Sequence, residues 1–417
     1  MLERIIIRPY YDKDQTERGI NYLEIIPEIH IKKAANLVYF TALLAGFAFP
    51  LSGILSPQIA GHFGVETTKI VFIDALVLAG LITGNIVSGK VINKFGGKKT
   101  LSIAVFILFI DQFGIAAQNS LLLYGSLTFL FGFSMGLLIP SVSYIIVDAF
   151  SPSGQSCSKL NIMNFFVGIG ACLGSGLCGI IVNYSSWRMV YVVTGIIFFV
   201  VFIRSVSVHI TEKHVTPAVP NESCGKVDKS ITSGVVLIGL ALIAYVYTEY
   251  IITYWFSPYL QESLLYNIQT VGLVLSSFWL SLALGRYFLG AFLIPKVKDY
   301  LFIISIAIIT IIGFLIFVSV DSLILIILTV ILLGFSCASI FPTLLGYGMK
   351  QTIVLSPFTM AFLITSGSVG GCFSLLTSAT IGSYLPKVTA IYMGPVCCVC
   401  MIILVILSRI YSKSVSP

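Results

Sequence analysis

Gly84-Asn85-Ile86-Val87-Ser88-Gly89-Lys90-Val91-Ile92-Asn93-Lys94-Phe95-Gly96-Gly97-Lys98-Lys99-Thr100 joins two strongly apolar stretches and places four lysines and a glycine pair between them. A chain that is oily on both sides of so short a basic turn reads as a loop between two membrane helices, on the face where positive charge collects. The composition agrees. Hydrophobic residues make up 57% of the 417 and charged residues 10%, with a mean hydropathy of +1.02. Water-soluble domains carry about a quarter charged residues, so a soluble enzyme or scaffold is excluded. About 20 apolar residues cross a bilayer, and twelve such helices take roughly 240 residues.

Charge distribution orients the chain. With the N-terminus assigned to the cytoplasm, twenty Lys and Arg fall on the cytoplasmic side and only Lys69, Arg188 and Lys387 on the other, while Arg286 lies within a span. Such a bias is the positive-inside signal, and it explains the net charge of +7 without nucleic acid as a partner. Both termini are then cytoplasmic. Residues 1–33 lack the apolar run of a signal peptide and read as a cytoplasmic tail with a short amphipathic piece at Ile20–Ile31. Most of the nine cysteines lie inside apolar segments without metal-ligand spacing, so they read as small core residues. No metal or cofactor is expected.

Apolar spans are predicted at 35–60, 70–92, 100–118, 121–149, 160–183 and 189–208, then at 231–259, 269–294, 300–319, 322–348, 357–383 and 388–410. The polar stretch 209–230 is the linker between an N-terminal half (34–208) and a C-terminal half (231–410), and 411–417 is a second cytoplasmic tail. The halves repeat. Ser56-Pro57 returns as Ser257-Pro258, and Gly84 and Gly89 return as Gly285 and Gly290, each 201 residues on. Gly132-Phe133-Ser134 with Pro140, and Gly168, return as Gly334-Phe335-Ser336 with Pro342, and Gly370, at an offset of 202. An even number of spans per repeat keeps both halves in one orientation, with a solute site expected between them near the midplane.

Few residues in the spans carry chemistry. Glu249 lies deep in span seven within Tyr245-Val246-Tyr247-Thr248-Glu249-Tyr250, far in sequence from any basic residue. An ionised carboxylate there must face a cavity, find a partner or take up a proton, which makes Glu249 the candidate proton carrier. Tyr245 and Tyr254 offer ring faces and hydroxyls to a polar solute. Asp111, halfway through span three, is a second candidate for coupling or else pairs with a polar neighbour. Asp74, one turn inside span two, is expected to reach water. Arg286, near the cytoplasmic end of span eight, reads as a gate residue or as a solute contact. Asn161 and Asn164 share a helix face as amide contacts, and Ser336 offers a hydroxyl. Pro140 and Pro342 are expected to kink spans four and ten. The glycines of spans five and eleven form close-packing surfaces on which the halves rock.

The loop Gly89-x-x-x-Asn93-Lys94-x-Gly96-x-Lys98-Lys99, together with Ser186-Trp187-Arg188, the linker and the half-repeat, resembles the major facilitator superfamily over residues 34–410. The family usually has Asp at the position of Asn93 and Arg or Lys at that of Gly97. The resemblance implies an all-α membrane fold of twelve transmembrane helices in two parallel-repeat six-helix halves. It also implies a gating role for Gly89, Asn93, Lys94, Gly96 and Lys98, with Asp148 in the latch opposite them. Ser277–Ser281 with Gly285-Arg286, and Leu333–Thr343 followed by Gln351 and Ser366–Gly370, resemble the fucose–proton symporter-related branch, in particular its TsgA-type members. Span one lacks the acidic residue of that branch's sugar symporters, and Thr128 stands where many members have Arg.

Three functions fit. The first is proton-coupled symport of a small polar solute, a sugar or related metabolite, by a monomer in the inner or plasma membrane. The others are proton-driven export of amphiphilic compounds and a transporter-like membrane sensor. No metalloprotease helix motif, nucleophile elbow or phosphate-binding loop occurs in the polar segments, so the chain is not expected to be an enzyme.

Overall fold

A computed structural model describes residues 28–150, 156–208, 232–289, 297–351 and 357–415. Among these no strand occurs. The helices of the first half are α1 (Glu28–Ala48), α2 (Leu51–Phe63), α3 (Thr67–Phe95), α4 (Gly97–Ala117), α5 (Leu121–Phe150), α6 (Ser156–Tyr184) and α7 (Trp187–Ser207). The second half contains α8 (Ser233–Pro258), α9 (Ile268–Phe288), α10 (Asp299–Ser319), α11 (Leu323–Cys337), α12 (Ile340–Met349), α13 (Pro357–Tyr384) and α14 (Val388–Val415). They make 12 candidate membrane spans, because α1 with α2 and α11 with α12 each form one broken crossing. The tail up to residue 27 and the linker lie outside the described residues. So does all but the last part of the Ile20–Ile31 piece. The final helix runs to Val415, so most of the predicted 411–417 tail is helical.

Burial separates central from peripheral helices. Helix α8 is enclosed almost throughout, with Tyr245, Tyr247, Tyr254, Trp255 and Phe256 among the largest fully buried side chains. Helix α10, by contrast, turns Ile308, Ile312 and Leu315 outward, the surface expected where lipid replaces water as solvent. The halves meet along α6 against α9, α3 against α13 and α2 against α8. The first two contacts exchange under the half-repeat, since span five pairs with span eight as span eleven pairs with span two.

Lipid tails are as apolar as the helices, so close packing rather than water exclusion holds the helices together. Glycine allows that approach. At Gly132 of α5 an added Cβ would overlap the backbone carbonyl of Val77 on α3. Gly132→Val is therefore expected to cost about 3 kcal/mol or more, read as a lost folded peak or a lowered melting temperature in detergent. Wild-type melting would show that the two helices separate freely. Across the half interface, a Cβ at Gly168 would lie 2.7 Å from that of Ala283, and one at Gly176 would lie 2.9 Å from the Ser276 hydroxyl. Those span-five glycines do face the other half. Gly170 and Gly174 instead pack on α1, within their own half.

The two prolines differ. Helix α5 continues through Pro140, whereas span ten breaks between Cys337 and Ile340, ahead of Pro342. The expected kink is thus a break in the second half alone. Span one has its own break at Phe49-Pro50, where the imide nitrogen cannot continue the ladder.

Candidate solute and coupling site

Pro342 lacks the N–H that would bond to Ala338 O, so the break in span ten exposes carbonyls. Side chains from two other helices take them up. Tyr245 of α8 donates its hydroxyl to Cys337 O at 2.8 Å, and Arg286 Nε of α9 donates to Ala338 O at 3.3 Å. Glu249, one turn along α8 from Tyr245, has the Tyr245 hydroxyl and the Arg286 guanidinium as its polar neighbours. Helical spacing aligns the first pair, and the break recruits the third member. Glu249 and Arg286 are half-buried.

An aromatic cluster, the roof of this region, adjoins the pair through Tyr250, which directly follows Glu249. Phe49, at the break of span one, meets Tyr250 edge-on at 6.1 Å and Trp279 edge-on at 6.0 Å, and Tyr250 stacks on Tyr254 at 5.7 Å. Both halves contribute to this roof. Beyond it, polar contacts tie the halves together at the end remote from the linker. Ser257 Oγ donates to Ile54 O at 2.7 Å, and Gln261 Nε2 donates to the same carbonyl at 3.3 Å. Gln58 pairs with Gln261 and Thr67 with Glu262, which also holds Lys387. Burial draws the Lys387 ammonium below its ordinary pKa, against the opposing pull of Glu66. This end is closed.

The closure gives a direct expectation. Gln58→Ala with Gln261→Ala should shift the ensemble toward parting of this end. Spin labels at Glu66 on the first half and Tyr384 on the second, both exposed, should then show a longer-distance population. An unchanged distance distribution would mean that the glutamine pair does not hold the end shut.

The structure brings together only part of the predicted site. Tyr254 sits in the roof, but its hydroxyl points to Ser52 at 3.5 Å. Ser336 is sealed, donating to Leu333 O at 3.0 Å and accepting from Thr310 at 2.9 Å, so it does not line the space beneath the roof. Asp111 is buried inside the first half, accepting from Gln112 at 3.2 Å, the polar pairing that was its other expected fate. Asp74 does not reach water. It is fully buried and accepts from the Tyr124 hydroxyl at 2.8 Å, because its face of α3 turns toward α5. Asn164 is exposed on α6, one turn before Gly168 and hence near the level of Arg286 across the interface. The side chain of Asn161 lies outside the described residues.

In the basic loop, Gly96 has φ of +83°, a backbone that favours glycine and turns the chain from α3 into α4. A Cβ at Gly97 would lie 2.6 Å from the Tyr144 ring, which leaves no room for the larger residue the family usually carries. Gly89 faces open space. Asn93 is exposed, Lys94 lies over the Phe95 ring at 5.2 Å, and Lys98 reaches Val206 O at 3.3 Å. Asp148 is half-buried and has an interaction partner.

Sequence reasoning missed Phe49, Trp279 and the glutamine pair. One signal was available, since Gln58 and Gln261 each closely follow the repeated Ser-Pro. The roof had none, because a ring in an apolar span reads as packing.

The sequence profile of the Major Facilitator Superfamily matches residues 38–375. The chain belongs to that superfamily. Among curated relatives, the TsgA homolog of Yersinia pestis (strain Pestoides F) is 20% identical over 343 residues, covering 82% of this chain and 86% of the relative. The homolog of Yersinia pseudotuberculosis serotype O:3 (strain YPIII) gives the same values. Two solved structures share the fold. The POT family transporter PepTSo aligns with a TM-score of 0.70 at 14% identity, over 92% of this chain and 98% of its own. The nucleoside transporter NupG, solved as a point mutant, aligns with a TM-score of 0.70 at 12% identity, over 91% and 99%. The superfamily fold and the twelve apolar crossings make the chain an integral membrane protein of a transporter family rather than an enzyme. Membership also implies a small-molecule substrate.

Proposed function

We propose that the chain is a proton-coupled symporter of a small polar solute, a sugar or related metabolite, working by alternating access as a monomer in the inner or plasma membrane. The observation that carries the reading is the Glu249–Arg286–Tyr245 group at the span-ten break, half-buried and beside an aromatic cluster. Solute hydroxyls can bond to the carboxylate and guanidinium while a ring face of the solute packs on Tyr250 or Trp279. Protonation of Glu249 removes the negative charge that faces Arg286, so proton occupancy and solute contacts depend on each other. Asn164 supplies a wall of the same space.

The linker end is cytoplasmic in this reading, on the charge bias of the loops. The closed end then faces outward, which leaves the cytoplasmic side as the route to the site in this reading. Glu249 exchanges its proton with that side. Gly89, Asn93, Lys94, Gly96 and Lys98, with Asp148, form the inner gate that shuts when the outer end opens. Proteoliposomes carrying a pH-sensitive dye test the function. Sugars, nucleosides, peptides, organic acids and amphiphilic compounds are added in turn, and alkalinisation of the solute-side medium with one polar class is the expected result. Movement of an amphiphilic compound against a proton gradient would select the exporter reading instead.

A further inference from the structure

A second carboxylate site lies in the first half, apart from Glu249. Asp74 is completely buried, and its Oδ1 accepts the Tyr124 hydroxyl at 2.8 Å while Oδ2 accepts no hydrogen bond. The groups facing it are hydroxyls from four helices: Ser52 of α2, Tyr124 of α5, Tyr191 of α7 and Tyr254 of α8. None is basic. Asp111 on α4 is the other acid of the cluster, felt through Tyr191. Orphaned atoms accumulate there, since Tyr191 OH, Gln112 Oε1 and Asp111 Oδ1 also lack partners. A cavity of about 10 Å³ lined by Ser52, Gln112, Thr128 and Tyr191 adjoins them, and that volume accommodates one water.

Two buried acids without a cation are expensive unless they are neutralised, and orphaned buried oxygens call for water or protons. Access to the cluster is set by the other half. Tyr254 belongs to α8, which packs on α2, and its hydroxyl meets Ser52 at 3.5 Å beside the Asp74 carboxyl. Parting of α2 and α3 from α8 and α13 withdraws Tyr254 and uncovers Asp74 on the side remote from the linker.

We propose that Asp74 is a proton-binding site loaded from the side remote from the linker when that end opens, and occluded by Tyr254 when it closes. One proton from bulk water adds to the carboxylate, and water in the adjoining cavity carries it toward Gln112 and Asp111. The proposal rests on the alternating-access reading but not on Glu249 as carrier.

The test is infrared difference spectroscopy of the lipid-reconstituted full chain between acid and alkaline external pH, in a Glu249→Gln background so that failure of Glu249 as carrier leaves the result readable. A protonated-carboxyl band that titrates and is lost in Glu249→Gln/Asp74→Asn is the expected result. No titrating band lost with Asp74 overturns the proposal. So does a band that sodium removes at constant pH as alkali does, which would make the cluster a sodium site. If the Asp74→Asn chain does not fold, the wild type decides. Carbodiimide labelling of Asp74, read by mass spectrometry, should fall as the outer pH rises, and labelling that is absent or insensitive to outer pH overturns the assignment.

Discussion

Glu249→Gln is expected to abolish solute-driven proton movement in proteoliposomes while leaving solute exchange across the membrane intact. Gln keeps the size of Glu and its polarity beside Tyr245 and Arg286, but it cannot take up a proton. The loss of coupled accumulation should reach at least about a hundredfold, the scale seen when a positioned proton-transferring group is removed. Exchange at equal solute concentrations requires only that the loaded site change sides, so it should persist and lose its pH dependence. A dye response equal to that of the wild type would remove Glu249 from the proton path. Loss of exchange together with coupling would mean that the carboxylate is first a solute ligand.

Arg286→Ala should be costly for a different reason. The change leaves Ala338 O at the break without a donor and Glu249 without its cation. Breaking a fully buried pair costs about 3–5 kcal/mol. Both partners here keep solvent contact, which screens the pair, and about 1–2 kcal/mol is the expected loss. A melting temperature lowered by a few degrees would report it. Arg286→Lys should recover only part, because an ammonium lacks the planar fork that reaches a carbonyl and a carboxylate together. The decisive variant is Arg286→Ala with Glu249→Gln. Without the carboxylate there is no charge left to strand, so the double variant should melt above Arg286→Ala alone. Strictly additive losses would show that the two side chains do not interact.

Much of this protein was legible before any coordinates. Twelve apolar runs, the asymmetric lysines and arginines and the displaced repeat of Ser-Pro and glycine positions define the crossings and the two-half plan, because a bilayer constrains each helix segment by segment. The predicted span limits match the helices closely, and the end of span eight at residue 294 lies outside the described residues. Glu249 also stood out in sequence, since an isolated acid in an apolar run conflicts with its surroundings wherever the helix points.

The tertiary structure alone decided what each polar group meets. Arg286 is far from Glu249 in sequence, and only the break in span ten, with its freed carbonyls, draws them together. Asp74 looked like an acid near water, yet the face of α3 that carries it turns inward onto Tyr124. Ser336 looked available and is sealed by Thr310. Hydrophobicity along a chain reports which segments enter the membrane, because that cost is summed over each segment. Partners within the membrane depend on helix rotation and on inter-helix distance, and those follow from glycine contacts and helix breaks between segments far apart in sequence.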